Sequence, residues 1–229
     1  MSVAMTTSPA SCASEELLER LRANLARVRE RISASGRDLS GVRLVAVTKT
    51  FGLNEVRAAY ELGLRTFAEN YVDELCEKSV ATHDLGVTWH YLGALQTNKI
   101  ARATRCADVL SAVARVRELE KIAAVSPGKI IDVQVDFTGE ARRNGVAPSD
   151  VAALVVLARS LALQVRGLMV VAPPGEEATR KAFVATGNLA DELGLVERSM
   201  GMSDDLELAC ELGTTEVRLG RALFGSRVG

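Results

Sequence analysis

From Ser14 onward, apolar residues recur at three- and four-residue steps, so that Leu17, Leu18, Leu21, Leu25, Val28 and Ile32 share one helical face. Ser14 ahead of Glu15 and Glu16 suits a capped, acidic first turn, and Gly36 suits the stop. Beyond that helix the period changes. Short β-rich runs predict strands at 43–49, 65–69, 89–93, 109–112, 129–137, 164–171, 197–201 and 216–220. Helical patterns lie between them, near 54–63, 71–80, 97–105, 115–124, 149–161, 177–193 and 204–212. Gly63, Gly194 and Gly213 stand just past helical patterns, where helices stop.

Strands alternating with helices predict a parallel sheet, and eight is the number that closes a barrel. The expected fold is therefore α/β, a single (β/α)8 TIM-type barrel with an extra N-terminal helix. Such a barrel takes about 250 residues, and the 229 present are compact but sufficient. An open doubly wound sheet would carry a glycine fingerprint after its first strand. Here Val47 is followed by TKTFG. No Pro- or Ser-rich linker breaks the alternation, which predicts one domain over 14–229 and a loose tail over 1–13.

Composition narrows the partners. With 28 basic and 29 acidic residues the formal charge is −1, leaving no basic excess for a nucleic-acid backbone. No apolar run approaches the ~20 residues of a membrane span, and the N-terminus lacks the basic start and apolar stretch of a secretory signal. A cytoplasmic protein without membrane or nucleic-acid partners is expected. Cys12, Cys76, Cys106 and Cys210 form no CxxC pair and are expected to be reduced thiols. His83 and His90 are too few for a metal site, and His90 reads as a packed strand residue.

In barrels of this kind reactive groups sit where strands end. In LVAVTKTF, Leu44 to Phe51, alternation of Val45, Val47 and Lys49 toward the interior would bring the lysine out at the rim, partly desolvated and available as a free amine. A solvated rim lysine is the alternative. Ser199 and Gly201 after one late strand, with Gly220 and Arg221 after the next, suit a phosphate cradle. The two glycines can equally be turn residues; Ser203 reads as an N-cap, and Asp204 and Asp205 as helix-start residues. A Schiff-base lysine facing a phosphate site matches the needs of pyridoxal 5′-phosphate.

The segments AVTKTF, FAENYVDEL, WHYLGALQTNK, GLM and RSMGMSDDLELACELGTTEVRLGRALFG resemble, in order and spacing, the YggS/PROSC family of pyridoxal-phosphate-binding proteins, similar to an isolated alanine racemase barrel. The resemblance spans about residues 14 to 227. It implies that Lys49 attaches the cofactor covalently, that Val47 and Asn70 lie beside it, and that Ser199, Gly201, Gly220 and Arg221 serve the phosphate; Met200 reads as a core residue by default, with contact to the cofactor as the alternative. Arg218 would face the pyridine nitrogen. A guanidinium only donates, so it keeps that nitrogen unprotonated and weakens the ring as an electron sink. Four departures stand out: Arg221 for a common Thr or Ser, Ala94 for His, Ala68 for Gly, and SAVAR at 111–115 for HSVDR.

Racemisation needs a proton-transferring group on each face of the substrate. Lys49 is one; Tyr60, Tyr71 and Tyr91 are the only tyrosines, and alanine racemase draws its second group from a partner subunit. The resemblance therefore implies a non-enzymatic role in cofactor homeostasis, buffering or delivering pyridoxal phosphate, with apo enzymes as recipients and an effect on amino-acid and keto-acid balance. A weak amino-acid racemase and a Schiff-base aldolase on a sugar phosphate are the competing readings. Without a second dimerising domain, a monomer is expected.

Overall fold

The Ser14 hydroxyl accepts the Leu17 amide at 3.3 Å and opens α1, Glu15–Ala34, whose buried stripe of Leu17, Leu21, Leu25, Val28 and Ile32 follows the predicted spacing. The computed structural model describes residues 14–225, so the N-terminal 1–13 segment lies outside the described residues. Eight parallel strands close in chain order into a barrel. They are β1 Arg43–Val47, β2 Thr66–Glu69, β3 Thr88–Tyr91, β4 Val109–Val113, β5 Ile130–Val135, β6 Gln164–Val170, β7 Glu197–Ser199 and β8 Glu216–Leu219. The α-helices that follow are α2 Leu53–Glu61, α3 Val72–Ala81, α4 Ile100–Cys106, α5 Val116–Val125, α6 Val151–Ser160, α7 Glu176–Glu192, α8 Leu206–Glu211 and α9 Arg221–Phe224. The expected barrel with its additional N-terminal helix is thus the observed fold.

Most of the apolar core lies between the strands and the surrounding helices, where Ala46, Phe67, Leu110, Ile131, Val133 and Leu168 meet Val56, Leu75, Leu119 and Val155. At roughly 25 cal/mol per Å² of apolar surface removed from water, this shell is the main stabilising element. A separate cluster of Val45, Val47 and Ala68, with Leu92 against it, fills one side of the interior. Asn24 on α1 donates to the Leu223 carbonyl at 2.7 Å, which ties the added helix to α9.

Three expectations need correction. β1 ends at Val47, two residues short of the predicted end, and Lys49 sits in a turn. Strand alternation therefore does not carry it to the rim. Residues 221–224, unassigned by periodicity, form α9, too short to show a helical repeat. Cys76 and Cys106 form a disulfide with Cα atoms 5.0 Å apart, where reduced thiols were expected. The pair is 30 residues apart in sequence and is brought together by the packing of α3 against α4, which local spacing cannot show. Cys210 is a free, buried thiol.

Candidate functional site

A cavity of about 630 Å³ opens at the carboxyl ends of the strands, within the size range of small-molecule sites. Its floor and walls include Val47, Asn70, Leu92, Gln134, Met169 and Val171, each at or just past a strand end, so the closed barrel is what brings them together. Lys49 and Phe51 enter from the turn after β1, and Gly220, Arg221 and Ser203 from the loops after β8 and β7. The Phe51 ring lies 5.0 Å from that of Phe224, anchoring the lysine turn to α9.

Lys49 is half-buried in this cavity. Asn70, directly after β2, lines the same cavity, and its Oδ1 is buried without a hydrogen-bond partner. An orphaned buried acceptor costs about 1–3 kcal/mol, so a polar ligand is the natural partner for this one. Gly93 holds the neighbouring backbone close: a Cβ there would lie 2.2 Å from the Asn70 carbonyl oxygen.

Arg218 rises from β8 with only 5% exposure and still lines the cavity. Nη1 donates to the Ser199 carbonyl and hydroxyl, both at 2.7 Å, and Nη2 donates to the Val170 carbonyl at 2.7 Å. These bonds immobilise the guanidinium. Burial pushes it below its ordinary value, with Glu216 acting against the shift.

Beneath Arg218 the interior is ionic. Ser199 Oγ donates to Glu216 Oε1 at 2.8 Å, and Arg166 reaches Asp132 at 2.7 Å and Glu216 at 3.0 Å. Arg166 occupies the register shift between β5 and β6, a bulge that re-aims its side chain inward. Burial would raise the Glu216 carboxyl, but the charges of His90 and Arg166, the Ser199 hydroxyl and Arg218 together hold it below its ordinary value. His90, in β3, is pushed down by burial, against the pull of Glu216. His90, Asp132 and Glu216 bring ligand atoms within 4.8 Å of one another, a cluster that sequence spacing did not reveal, and Arg166 already supplies a cation to both carboxylates.

The sequence-derived residues divide clearly. Val47, Lys49, Asn70, Arg218, Gly220 and Arg221 line the cavity, whereas Ser199, Met200 and Gly201 do not. Ser199 is fully buried between Glu216 and Arg218, so its hydroxyl is committed to the ionic network. Met200 packs its side chain with Val170, Phe183 and Ala209, away from the cavity, and its amide and carbonyl are both hydrogen-bonded. Gly201 has φ +96°, and a Cβ there would lie 2.5 Å from that of Ala209; close packing explains the glycine. Arg221 turns toward Asp204 and accepts no role from geometry beyond that exposed ion pair (Nη2 to Oδ2, 2.5 Å) at the cavity mouth. Ser203 was read as an N-cap; instead its Oγ accepts the Ala222 amide at 3.2 Å, joining the loop after β7 to the start of α9. Gln134 and Met169 were missed, and only their positions near strand ends pointed to them; Ser203 was noticed but not placed at the cavity.

A parallel barrel presenting one lysine and one immobilised arginine to a strand-end cavity is a small-ligand-binding barrel. Residues 17–228 match the family model described as alanine racemase, N-terminal domain, and the chain belongs to that family. It is 39% identical over 211 residues to the pyridoxal phosphate homeostasis protein of Pseudomonas aeruginosa, covering 88% of this chain and 92% of that one. It is 40% identical over 205 residues to the pyridoxal phosphate homeostasis protein of Deinococcus radiodurans, covering 87% and 97%. Among solved structures it is similar to PipY of Synechococcus elongatus with PLP bound, at TM-score 0.78 and 32% identity, covering 90% of this chain and 100% of that one.

Proposed function

We propose that this protein binds pyridoxal 5′-phosphate covalently at Lys49 and serves the homeostasis of that cofactor, buffering it or delivering it to apo enzymes. The observation that carries the reading is the convergence, in one cavity, of the Lys49 amine, the orphaned Asn70 oxygen and the fixed Arg218 guanidinium. The names of the curated relatives and the PLP-bound PipY structure support the same ligand.

When bound, pyridoxal phosphate supplies an aldehyde that condenses with an amine and a ring that withdraws electrons. Lys49 supplies the amine. Arg218 donates hydrogen bonds and cannot accept them, so it disfavours a protonated ring nitrogen and with it strong electron withdrawal. Val47, Leu92 and Met169, which line the cavity, would exclude water from the ring, and Gly220 with the Ser203 loop would hold the phosphate. Ser199 acts through Arg218, holding the guanidinium rather than touching the ligand.

The cavity also supports binding over turnover. Among the described residues no tyrosine lines it, and its one carboxylate, Asp204, is paired with Arg221. Lys49 therefore lacks an opposing proton-transfer group. The test is to mix purified protein with pyridoxal phosphate, reduce with borohydride and map the modified peptide. Mass addition at Lys49, abolished in Lys49→Ala, is expected; addition elsewhere, or none, sinks the reading. Hydrogen exchange at the α-carbon of L- or D-amino acids in deuterated water, at turnover rates, would favour an enzyme.

A further inference from the structure

Lys49 lies in a turn just past the end of β1 at Val47. The Thr48 amide still donates to the Ala68 carbonyl of β2 at 3.0 Å and the Phe51 amide closes the turn on the Thr48 carbonyl at 2.9 Å, but the backbone of Lys49 and Thr50 between them lies beyond the strand. Thr50 is a β-branched side chain at φ +68°, a conformation that costs about 1–3 kcal/mol and persists only where its surroundings impose it. Side chains from neighbouring elements add to these backbone bonds.

The partners come from β2 and α3. Lys78 Nζ donates to the Thr48 carbonyl at 2.8 Å, to Glu69 Oε1 at 2.6 Å and to Glu74 Oε2 at 3.0 Å, which uses all three ammonium hydrogens. Thr48 Oγ1 donates to Glu69 Oε1 at 2.7 Å, and the Thr50 amide donates to Glu74 Oε2 at 2.9 Å. The residues on both sides of Lys49 are thus tied by carbonyl, hydroxyl and amide to one charged cluster.

The cluster is a poor device for stability alone. The Glu69 side chain is fully buried and that of Lys78 is 6% exposed, and buried pairs of this kind are often no better than apolar residues of similar volume. Glu69 Oε2 is buried with no partner at all. Burial raises the Glu69 carboxyl above its ordinary value against the bonds from Lys78 and Thr48. What this arrangement provides is direction: charged groups with fixed hydrogen-bond geometry aimed at the backbone around Lys49.

We infer that Glu69, Glu74 and Lys78 are positioning residues that hold the Lys49 turn so that its amine points into the cavity. Glu74 and Lys78 lie one turn apart on α3, and Glu69 immediately precedes Asn70, so one unit sets both the amine and the orphaned acceptor. The inference rests on the reading of Lys49 as the attachment residue.

Glu74 is the safest handle, because its side chain is 31% exposed and its removal orphans no buried charge. Glu74→Ala is expected to slow borohydride-trapped capture of pyridoxal phosphate at Lys49 by about tenfold, in keeping with the sensitivity of such reactions to small misplacements. It should also speed hydrogen exchange of the Thr50 amide while leaving the melting temperature near that of the wild type. Glu74→Gln, which retains an acceptor oxygen, should restore most of the capture rate. The double variant Glu69→Gln/Lys78→Met, which removes both buried charges together, should slow capture as well. Capture at the wild-type rate in both Glu74→Ala and the double variant, with unchanged Thr50 exchange, overturns the positioning role alone. Equal slowing in Glu74→Ala and Glu74→Gln also overturns it. A wild-type protein that captures no pyridoxal phosphate overturns this inference together with the reading beneath it.

Discussion

Along β1, β2 and the loop after β3, Val45, Val47, Ala68 and Leu92 form an apolar cluster of the barrel interior. Across the barrel, from β5 to β8, the interior is Asp132, Arg166, Ser199, Glu216 and Arg218, joined by hydrogen bonds of 2.7 to 3.0 Å. Both walls fill space at the bottom of one cavity, yet they do different things to what stands above them. The apolar wall leaves Lys49 to be aimed by side chains outside the barrel. The ionic wall carries its own functional residue, because every group in it is oriented by the next, up to Arg218.

The sharpest way to break the comparison is Glu216→Ala. That change leaves Arg166 and Ser199 without their shared acceptor, and with Ser199 it loosens the support of Arg218; losing one partner of a buried ionic network costs about 3–5 kcal/mol. Chemical denaturation should show the loss, and a cost near zero would mean the network is only space-filling. On the opposite wall, Val45→Ala should cost about 2 kcal/mol, since only apolar contacts and a small cavity are involved. Its capture of pyridoxal phosphate should stay close to wild type, and strong impairment would contradict the division of roles.

Acidification acts on the ionic wall and not on the apolar cluster, which has no titrating side chain. His90 and Glu216 both have folded values depressed below their ordinary ones of 6.5 and 4.5. Between each ordinary value and its depressed one the unfolded chain binds more protons, so the stabilisation is present above the ordinary value and is lost as pH falls toward the folded one. Unfolding free energy should decline below about pH 6.5 and fall further on the acid side of the ordinary carboxylate value. His90→Asn should flatten the first part; an unchanged profile would exclude His90.

The smallest effect is expected at the rim, where the Arg221 and Asp204 side chains are 70% and 79% exposed. Arg221→Thr should leave the melting temperature unchanged and alter pyridoxal phosphate affinity by no more than about threefold, since exposed pairs contribute little. A loss of a hundredfold would show instead that Arg221 leaves Asp204 to grip the phosphate.

Much of this organisation was legible in the chain. The helical stripe of Leu17 to Ile32, eight β-rich runs and the absence of a glycine fingerprint after Val47 point to the barrel, because these patterns reflect local burial. Lys49 and Gly220 could be picked as residues near strand ends, whereas Asn70 and Arg218 came from the family resemblance. Inward and outward parity could not be read with equal ease: strands of a parallel barrel are buried on both faces, so apolar alternation fades. Met200, which faces the helices, and Met169, which faces the cavity, look alike in sequence.

Sequence by itself determined the element order, the barrel class and the type of chemistry that a lysine, an arginine and glycine-rich strand ends allow. Tertiary structure alone decided which side chains meet. It turned Ser199 from a phosphate candidate into the support of Arg218, placed Arg166 on a bulge, joined Cys76 to Cys106 and drew Glu69, Glu74 and Lys78 around the Lys49 turn. Those outcomes depend on register, closure and helix packing between residues up to 50 positions apart, as for Arg166 and Glu216. Periodicity reports the environment of a residue, whereas hydrogen bonds report its partner, and only the folded barrel supplies the partner.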